Sequence, residues 1–512
     1  MFSFNLIEEK WLPCILVDNT VEELSLKDVL TKAFDIKELI GDSPPITIAL
    51  HRLLLAVLHR ALNAPNSYED WESFWRAKNW NADGKLENYL NHWKHRFDLF
   101  DVERPFYQVS SVKDKIQDGA IIQLYFQGKN NATLFDHSTT SVPNAVTPSE
   151  AARLLITFQG FDFGGTKADG SAQTAPLLQS AISLVCGKNL FETLMLNWHG
   201  YDEEDGVPFE FANSEDLPPW ERKSETESKE RTLDGYVDLL TWQARRILLH
   251  PEQSDTGEIV VKNTVIMKGF QFPKDYERHN KETMMAFQKS KKTGFYSVGF
   301  SENKALWRNS LTLFQTVENE RYKPKILDWL NQLVDEEVLE NSSIFPLDFY
   351  GLAADKGKLL FWQHEKFFLP VKILDNKELL SKIELAIEFA EDISDKVLRF
   401  SLKTLADDLE TNLKNFPALS VYWARLETRF KKLLVELPNQ ENQSLEGWFR
   451  YTDDLAKNVF KQTANSMSGS AEEQRAIVES ENAFYSSRKK LLNNNSEYRE
   501  LLPKHKTKGG EE

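Results

Sequence analysis

Phe4-Asn5-Leu6-Ile7 and Trp11-Leu12-Pro13-Cys14-Ile15 open the chain as a short strand-like pair, followed by Leu24-Ser25-Leu26-Lys27-Asp28-Val29-Leu30 and Glu38-Leu39-Ile40-Gly41-Asp42-Ser43-Pro44-Pro45. A long apolar helix then runs from Ile46 to Leu62. The block closes with Arg96-Phe97-Asp98-Leu99-Phe100-Asp101 and Glu103-Arg104-Pro105-Phe106-Tyr107-Gln108-Val109. Ser43 suits a helix cap, and proline at a first helical position loses no needed hydrogen bond. Leu50, Leu53, Leu54, Val57, Leu58 and Leu62 recur at three- and four-residue spacings, the period of one helical face. His51, Arg52, His59 and Arg60 interrupt the run, so it reads as a core helix and not a membrane span.

The chain has 512 residues, which suggests two domains, or one large and one small. With 41% apolar residues, including 33 Phe and 13 Trp, it can fill a large core, so wholesale disorder is not expected. The net charge of −16 argues against binding nucleic acid over a broad surface, since phosphate contacts want Lys and Arg. It leaves room for contact through a few local loops. The charge is uneven: residues 201–230 carry 11 acids and 3 bases, and this segment reads as a solvated, partly mobile loop that would face away from any nucleic acid. Cys14 and Cys186 form no CxxC pattern, so neither a disulfide framework nor a zinc ribbon is indicated. Met1-Phe2-Ser3-Phe4-Asn5 lacks a basic start, and Glu8-Glu9 follow at once; this is not the pattern of a signal peptide. The expectation is a soluble cytoplasmic protein.

Residues 110–370 alternate short β-like runs, such as Ile121-Ile122-Gln123-Leu124-Tyr125-Phe126 and Ile259-Val260-Val261, with helices and long loops, the pattern of an α+β region. From about residue 375 the pattern becomes helical. Leu380, Ile383, Ile387, Ala390, Ile393, Val397 and Phe400 form one stripe, and Leu419, Trp423, Leu426, Phe430 and Leu433 a second. Trp448, Leu455 and Val459 form a third; Ile477, Phe484 and Leu491 form a fourth, preceded by a Ser470-x-x-Glu473 capping box. The expected architecture is a large mixed α+β N-terminal domain over 1–370 and a four-helix bundle over 375–500. A disordered tail over 503–512 is expected to follow.

The block from Phe4 to Val109 resembles the N-terminus of the CasA family, the large subunit of the type I-E CRISPR surveillance complex Cascade. A C-terminal bundle after a large α+β domain is also that family's layout. The resemblance implies a protein that is not an enzyme and that needs no cofactor or metal. It would dock at the 5′ end of the guide RNA and inspect double-stranded DNA for the PAM, the short motif flanking the target, through the minor groove. It would then wedge the duplex open to start the R-loop and help recruit a separate helicase–nuclease. Sequence specificity beyond the PAM belongs to base pairing. The implied partners are the backbone, 5′-handle-binding and small subunits, the guide RNA, the target duplex and the effector, with no membrane.

Four segments carry the implied contacts. In Phe161-Asp162-Phe163-Gly164-Gly165-Thr166-Lys167-Ala168-Asp169-Gly170, glycine lets backbone approach a nucleic-acid strand closely; the family uses a glycine loop here for the PAM, which assigns Gly164, Gly165, Thr166 and Lys167. On the residue pattern alone an ordinary turn is the favoured reading. Asp355-Lys356-Gly357, between apolar runs, is a tight hairpin tip. In the family a hairpin at this place wedges the duplex with a glutamine at its tip. Lys356 stands in its place here, and lysine lacks the amide's paired donor and acceptor. A solvent-exposed β-turn is the plainer alternative. Lys268, in Met267-Lys268-Gly269-Phe270, is the candidate for the family's PAM-contacting lysine, with Lys262 and the cluster Lys289, Lys291 and Lys292 as competitors. The fourth is the loop Asn130 to Ser138, where the family reaches the guide's 5′ handle. Asn131, Leu134, Phe135, Asp136 and His137 are its candidates, Phe135 by stacking on a base; a flexible polar loop with a buried Phe is the alternative.

His92-x-x-His95 would set two imidazoles on one helix face, but zinc needs more ligands and no third lies nearby in sequence. A surface helix is the simpler reading. Two rival functions stay in view. A metal-dependent nuclease would need a compact His/Asp cluster, which the sequence does not offer. A purely structural subunit would lack DNA contacts of its own.

Overall fold

The computed structural model describes residues 2–63, 65–81, 83–112, 119–120 (backbone only), 145–167, 169–201, 214–292, 294–355, 357–467 and 469–502. The chain forms two compact units: Met1–Glu302 with Thr316–Phe367, and Asn303–Gln315 with Phe368–Glu512. The first mixes helix and sheet; the second is built from helices.

In the first unit, β1 (Leu12–Leu16), β2 (Val21–Leu24) and β3 (Ile36–Leu39) form an antiparallel sheet in the order β2-β1-β3, and α1 (Leu26–Thr31) sits between β2 and β3 in the chain. Ser25 caps α1 by accepting the Asp28 N–H. Phe4–Ile7 is not the strand expected of it. Asn5 makes one bridge to Asp98, and its side chain accepts from the Ile7 N–H and donates to the Lys94 carbonyl. A short polar side chain bonding to nearby backbone turns the segment away from a ladder.

The helix α2 (Pro44–Leu62) is the core of this unit. It is long and apolar enough to cross a membrane, yet 89% of its most apolar window is buried inside the protein. Ser43 makes no side-chain cap bond; Thr47 Oγ1 instead accepts the Gly41 N–H, and Asn63 in the left-handed region (φ 60°) closes the other end. The two arginines that interrupt the apolar run find partners inside, and His51 Nδ1 lies 2.8 Å from the Thr47 carbonyl, whereas neither ring nitrogen of His59 has a hydrogen-bond partner. Arg52 Nη1 meets Glu282 Oε1 at 3.0 Å and Arg60 Nε meets Glu221 Oε1 at 2.9 Å.

Around it lie α3 (Tyr68–Ala77), α4 (Lys85–Trp93), β4 (Gly119–Ala120), α5 (Pro148–Phe161), β5 (Gly165–Lys167), β6 (Gly170–Ala172), β7 (Ala181–Val185), α6 (Leu190–Asn197) and α7 (Tyr236–Leu240). They are followed by β8 (Arg245–Gln253), β9 (Ile259–Lys268), β10 (Phe287–Ser290) and β11 (Gly294–Ser297). After α8 (Ser310–Phe314), which belongs to the second unit, come β12 (Arg321–Tyr322), α9 (Lys325–Asp335), β13 (Ile344–Asp355) and β14 (Lys358–Pro370). The sheets are β4-β9-β8, β5-β6, β14-β13-β7 and β11-β10-β12.

The acidic segment 201–230 is not a solvated loop over its described part. Trp220 is 1% exposed and stacks against Phe106, while Glu221 pairs with Arg60. Glu225 accepts from the N–H groups of Ser110 and Ser111, and Asp216 accepts from those of Val237 and Asp238. These three acids serve as internal counter-charges and caps, which a count of net charge cannot reveal, while Glu215, Glu227 and Glu230 are exposed.

Among the described residues of this unit, His51, His59 and His199 are the most deeply buried histidines, at 3% exposure or less. Burial pulls His51 and His199 down to about 4, and pushes His59, beside Trp198, His199 and Tyr236, well below the ordinary value. Between pH 6.5 and 4 the unfolded chain therefore takes up protons that the folded state refuses, so stability falls as pH falls. Asp216, raised by burial to about 6, works in the opposite sense over part of this window. Each such histidine contributes a slope of roughly 1 kcal/mol per pH unit. Melting curves at pH 7.5, 6 and 5 should show a falling Tm, and the double variant His51→Gln/His199→Gln should flatten the slope. An equal slope in that variant would contradict the assignment.

In the second unit α10 (Lys377–Asp392) passes through a π-helical turn, Ile393–Leu398, into α11 (Arg399–Asp408). The wider turn shifts the helical register, and Phe400, the expected last member of the first stripe, is 52% exposed. Then come α12 (Ala418–Glu436), α13 (Glu441–Asn465), α14 (Ala471–Asn494) and α15 (Ser496–Leu501). Both halves of the Ser470/Glu473 capping box form. A segment from far upstream completes this core. Trp307, fully buried, lies 4.6 Å from the Phe430 ring and 6.0 Å from that of Trp448, and Arg308 stacks at 3.8 Å on Trp423 while pairing with Glu391. Residues 503–512, read from sequence as a disordered tail, lie outside the described residues.

Candidate nucleic-acid interface

The glycine segment begins where α5 ends. Thr147 and Glu150 cap that helix reciprocally, and its last turn delivers Asp162 into the interior, 1% exposed. Asp162 Oδ2 holds Lys167 Nζ at 2.5 Å and Arg245 Nε at 2.6 Å. Arg245 in turn donates to the Gln173 carbonyl at 2.5 Å. Two cations and one carboxylate thus tie α5, β5, β8 and the strand exit at Gln173 into one buried node.

Above the node β5 and β6 form a minimal hairpin, pairing Gly165 with Ala172, Thr166 with Ser171 and Lys167 with Gly170. Burial rises along each short strand towards its last residue. Gly165, Thr166, Gly170 and Ser171 are exposed; Lys167 and Ala172 are buried. Lys167, expected from sequence among the DNA-facing residues, is an internal counter-ion of Asp162: it is 7% exposed, and its Nζ lies 5.6 Å from the centroid of the Phe158 ring. The two adjacent glycines also differ. Both have positive φ, +73° at Gly164 and +77° at Gly165. A Cβ on Gly164 would come within 2.8 Å of the Ala172 and Gln173 backbone, whereas one on Gly165 would meet nothing within 4 Å. Gly164 is required by packing; Gly165 presents bare backbone to the outside.

Lys268, at the end of β9, lies against this hairpin. Its N–H donates to Asp169 Oδ1 at 2.9 Å, and its Nζ is 3.9 Å from where a Cβ on Gly170 would stand. Arg246, on neighbouring β8, holds the arrangement by bonding both Asp169 Oδ2 and the Lys268 carbonyl. Arg246 and Asp169 were missed in the sequence; the partners are 77 residues apart, and no local signal joins them. The competing lysines lie elsewhere. Lys262 pairs with Glu252 at 2.5 Å further along β9, and Lys289, Lys291 and Lys292 belong to β10 and the turn after it.

Asp355 ends β13 and Lys358 begins β14, with Gly357 at φ +78° between them. Lys356 lies outside the described residues. The root of this hairpin is core, with Leu352 fully buried. Gln179, a few residues beyond the glycine hairpin, donates to the Ala354 carbonyl at 2.5 Å. One short connection thus leads from β6 to the second hairpin. The loop bearing Asn131, Leu134, Phe135, Asp136 and His137 lies outside the described residues. His92 and His95 are exposed on either side of Trp93. Among the described residues no group of three or more His, Cys, Asp or Glu is placed to hold a metal ion.

Comparison with known proteins relates this chain, over nearly its whole length, to one family. The family described as CRISPR-associated protein Cse1 matches residues 5–459. The chain belongs to that family, the CasA family of type I-E Cascade. It is 28% identical to the CRISPR-associated protein CasA/Cse1 of Thermus thermophilus, over 94% of this chain and 96% of that protein. A crystal structure of a CRISPR-associated protein from the same organism superposes with a TM-score of 0.79 at 27% identity, covering 96% of this chain and all of that one. Thermobifida fusca Cse1 shares the fold at a TM-score of 0.83 and 24% identity, covering 98% of this chain and 99% of that one.

Proposed function

We propose that this chain is the non-catalytic DNA-recognition subunit of a type I-E Cascade complex, reading the PAM from the minor groove and opening the duplex beside it. The observation that carries this is the β5–β6 hairpin, where exposed Gly165, Thr166 and Gly170 stand beside the Lys268 amine. Backbone without side chains can approach the groove floor, and a lysine beside it can donate to the acceptors that line A·T and G·C edges there. The hairpin tip Asp355-Lys356-Gly357 would act as the wedge, unstacking a base step and recovering the cost through contacts in the opened duplex. Asn131, Leu134, Phe135, Asp136 and His137 would dock the guide's 5′ handle. The helices α10–α11, α12, α13 and α14 would form the four-helix bundle that meets the small subunits. A solved CRISPR RNA-guided surveillance complex contains a chain of the same fold, at a TM-score of 0.75, which supports assembly with guide RNA and further subunits. Recruitment of a helicase–nuclease and a cytoplasmic location complete the proposal.

Gly165→Asn tests it. Asparagine tolerates positive φ, and space is open at this position, so the fold should hold while the added side chain blocks close approach. In the assembled complex the variant should bind PAM-containing duplex about 5- to 150-fold more weakly, the scale of one lost recognition contact of ~1–3 kcal/mol, with Tm nearly unchanged. Wild-type affinity in the variant would point to a purely structural subunit. Cleavage of DNA by the complex without an added effector, abolished by chelator, would point to a nuclease.

A further inference from the structure

The outer face of β14 combines features that the two hairpins do not account for. The strand is the edge of the sheet β14-β13-β7, hydrogen-bonded on one side only. Its side chains alternate: Glu365 and Phe367 turn into the core, while Lys358, Leu360, Trp362, His364 and Lys366 turn out. Leu360 is 44% exposed and Trp362 38%, in a chain that buries Trp11, Trp71, Trp80, Trp198, Trp307 and Trp448. Other exposed aromatics, such as Phe34 and Tyr485, also lie on the surface; what sets Leu360 and Trp362 apart is that they are i, i+2 neighbours on one outward face, forming a small apolar patch flanked by lysines.

The polar residues of the face are also prearranged. His364 lies flat on Tyr350, ring centroids 4.4 Å apart and planes within 5°, and its Nε2 is 2.8 Å from Asp348 Oδ2. Lys366 Nζ reaches the same oxygen at 3.4 Å. Asp348 is buried and braces the root of the face, yet the His364 and Lys366 side chains stay 40% and 43% exposed. At the tip end Lys358 has no ion-pair partner among the described residues. From Lys358 to Lys366 the face extends about 26 Å, at ~3.3 Å per residue. No outward side chain along it is acidic, although the chain as a whole carries −16.

Cations flanking an exposed flat aromatic complement an unpaired nucleic-acid strand: phosphates meet the lysines, and bases of any sequence stack on the ring. We propose that the outer face of β14 is a track for a strand freed at the hairpin tip, with Trp362 stacking on a base and Lys358 and Lys366 facing phosphates. This rests on the hairpin being the element that opens the duplex.

The test uses the assembled complex with Trp362→Ala, Trp362→Phe and Lys358→Ala. R-loop formation is timed on a fully paired target and on one mismatched beside the PAM, and PAM-duplex binding is measured separately. Trp362→Ala should slow opening of the paired target about 10-fold, the weight of one base stack, with PAM-duplex binding unchanged. Trp362→Phe should retain most of the rate, the defect should shrink on the mismatched target, and Lys358→Ala should flatten the salt dependence. Photocrosslinking from a halogenated base placed in one target strand or the other identifies which strand lies on the track. Opening at the wild-type rate by Trp362→Ala and Lys358→Ala, while the wild type remains PAM-dependent, overturns the track and leaves the PAM reading intact. Loss of the variant subunit from the complex overturns it in favour of a protein contact. A wild-type complex indifferent to the PAM overturns the function proposed above instead.

Discussion

Asp162→Ala should destabilise the protein by about 3–5 kcal/mol and abolish PAM-dependent binding. The magnitude follows from what the substitution leaves behind. Lys167 and Arg245, with side chains 2% and 1% exposed, lose the carboxylate that faces both. Breaking a buried pair by removing one partner costs this much because a charge remains buried without compensation. The loss of function is a separate effect: the node positions Gln173 and β5, and so fixes the spacing across the glycine hairpin. Asp162→Asn should be milder in packing but nearly as damaging in charge. The double variant Asp162→Ala/Lys167→Met, which removes one of the stranded cations, should recover part of the stability. Urea unfolding of the isolated protein gives the first number, and duplex binding by the assembled complex the second. Wild-type unfolding of Asp162→Ala would show that the node is not a buried charge cluster at all.

Lys268→Ala should weaken binding of PAM duplex by roughly 5- to 150-fold, corresponding to a lost groove contact of about 1–3 kcal/mol, with thermal stability close to wild type. The side chain is only partly buried, and its structural bonds are made by its backbone N–H and carbonyl, which the substitution keeps. Arg246→Ala should act differently. It releases Asp169 and the Lys268 carbonyl together, so binding falls and the melting transition shifts as well. Lys262→Ala is the control, since that lysine is paired with Glu252 at a distance from the hairpin. Equal losses in Lys262→Ala and Lys268→Ala would mean that only diffuse positive charge is being read.

What could be read in advance follows the range of the forces involved. The helix α2 was legible because Pro44, Pro45 and an apolar period act locally. So was the tip at Gly357, where turn chemistry within a few residues decides the backbone. Gly164 and Gly165 look identical in sequence. They differ because one faces the Ala172–Gln173 backbone and the other faces open space, a matter of tertiary packing. Lys167 is buried and Thr166 exposed because Asp162, five residues upstream but delivered into the interior by α5, claims the lysine, which no pattern within the glycine segment announces. The choice of Lys268 over Lys262 depends on Asp169, nearly a hundred residues upstream. The acidic 201–230 segment misled for a related reason: net charge records how many carboxylates there are, not whether an arginine or a helix terminus waits for them.

The excursion of residues 303–315 into the second unit bears on how the protein is made. That unit does not begin where its long helices begin. It needs Trp307 and Arg308, which leave the ribosome before β13 and β14 and well before Phe430, Trp448 or Glu391. During synthesis the segment must therefore wait, its indole unburied, until more than a hundred further residues have emerged. A recombinant fragment starting at residue 368 would present the complementary defect, a vacant slot among α12 and α13 with no tryptophan to fill it. The helical unit is thus not a separable module in the genetic sense, and shuffling or truncating it at the obvious boundary would divide a single folding unit.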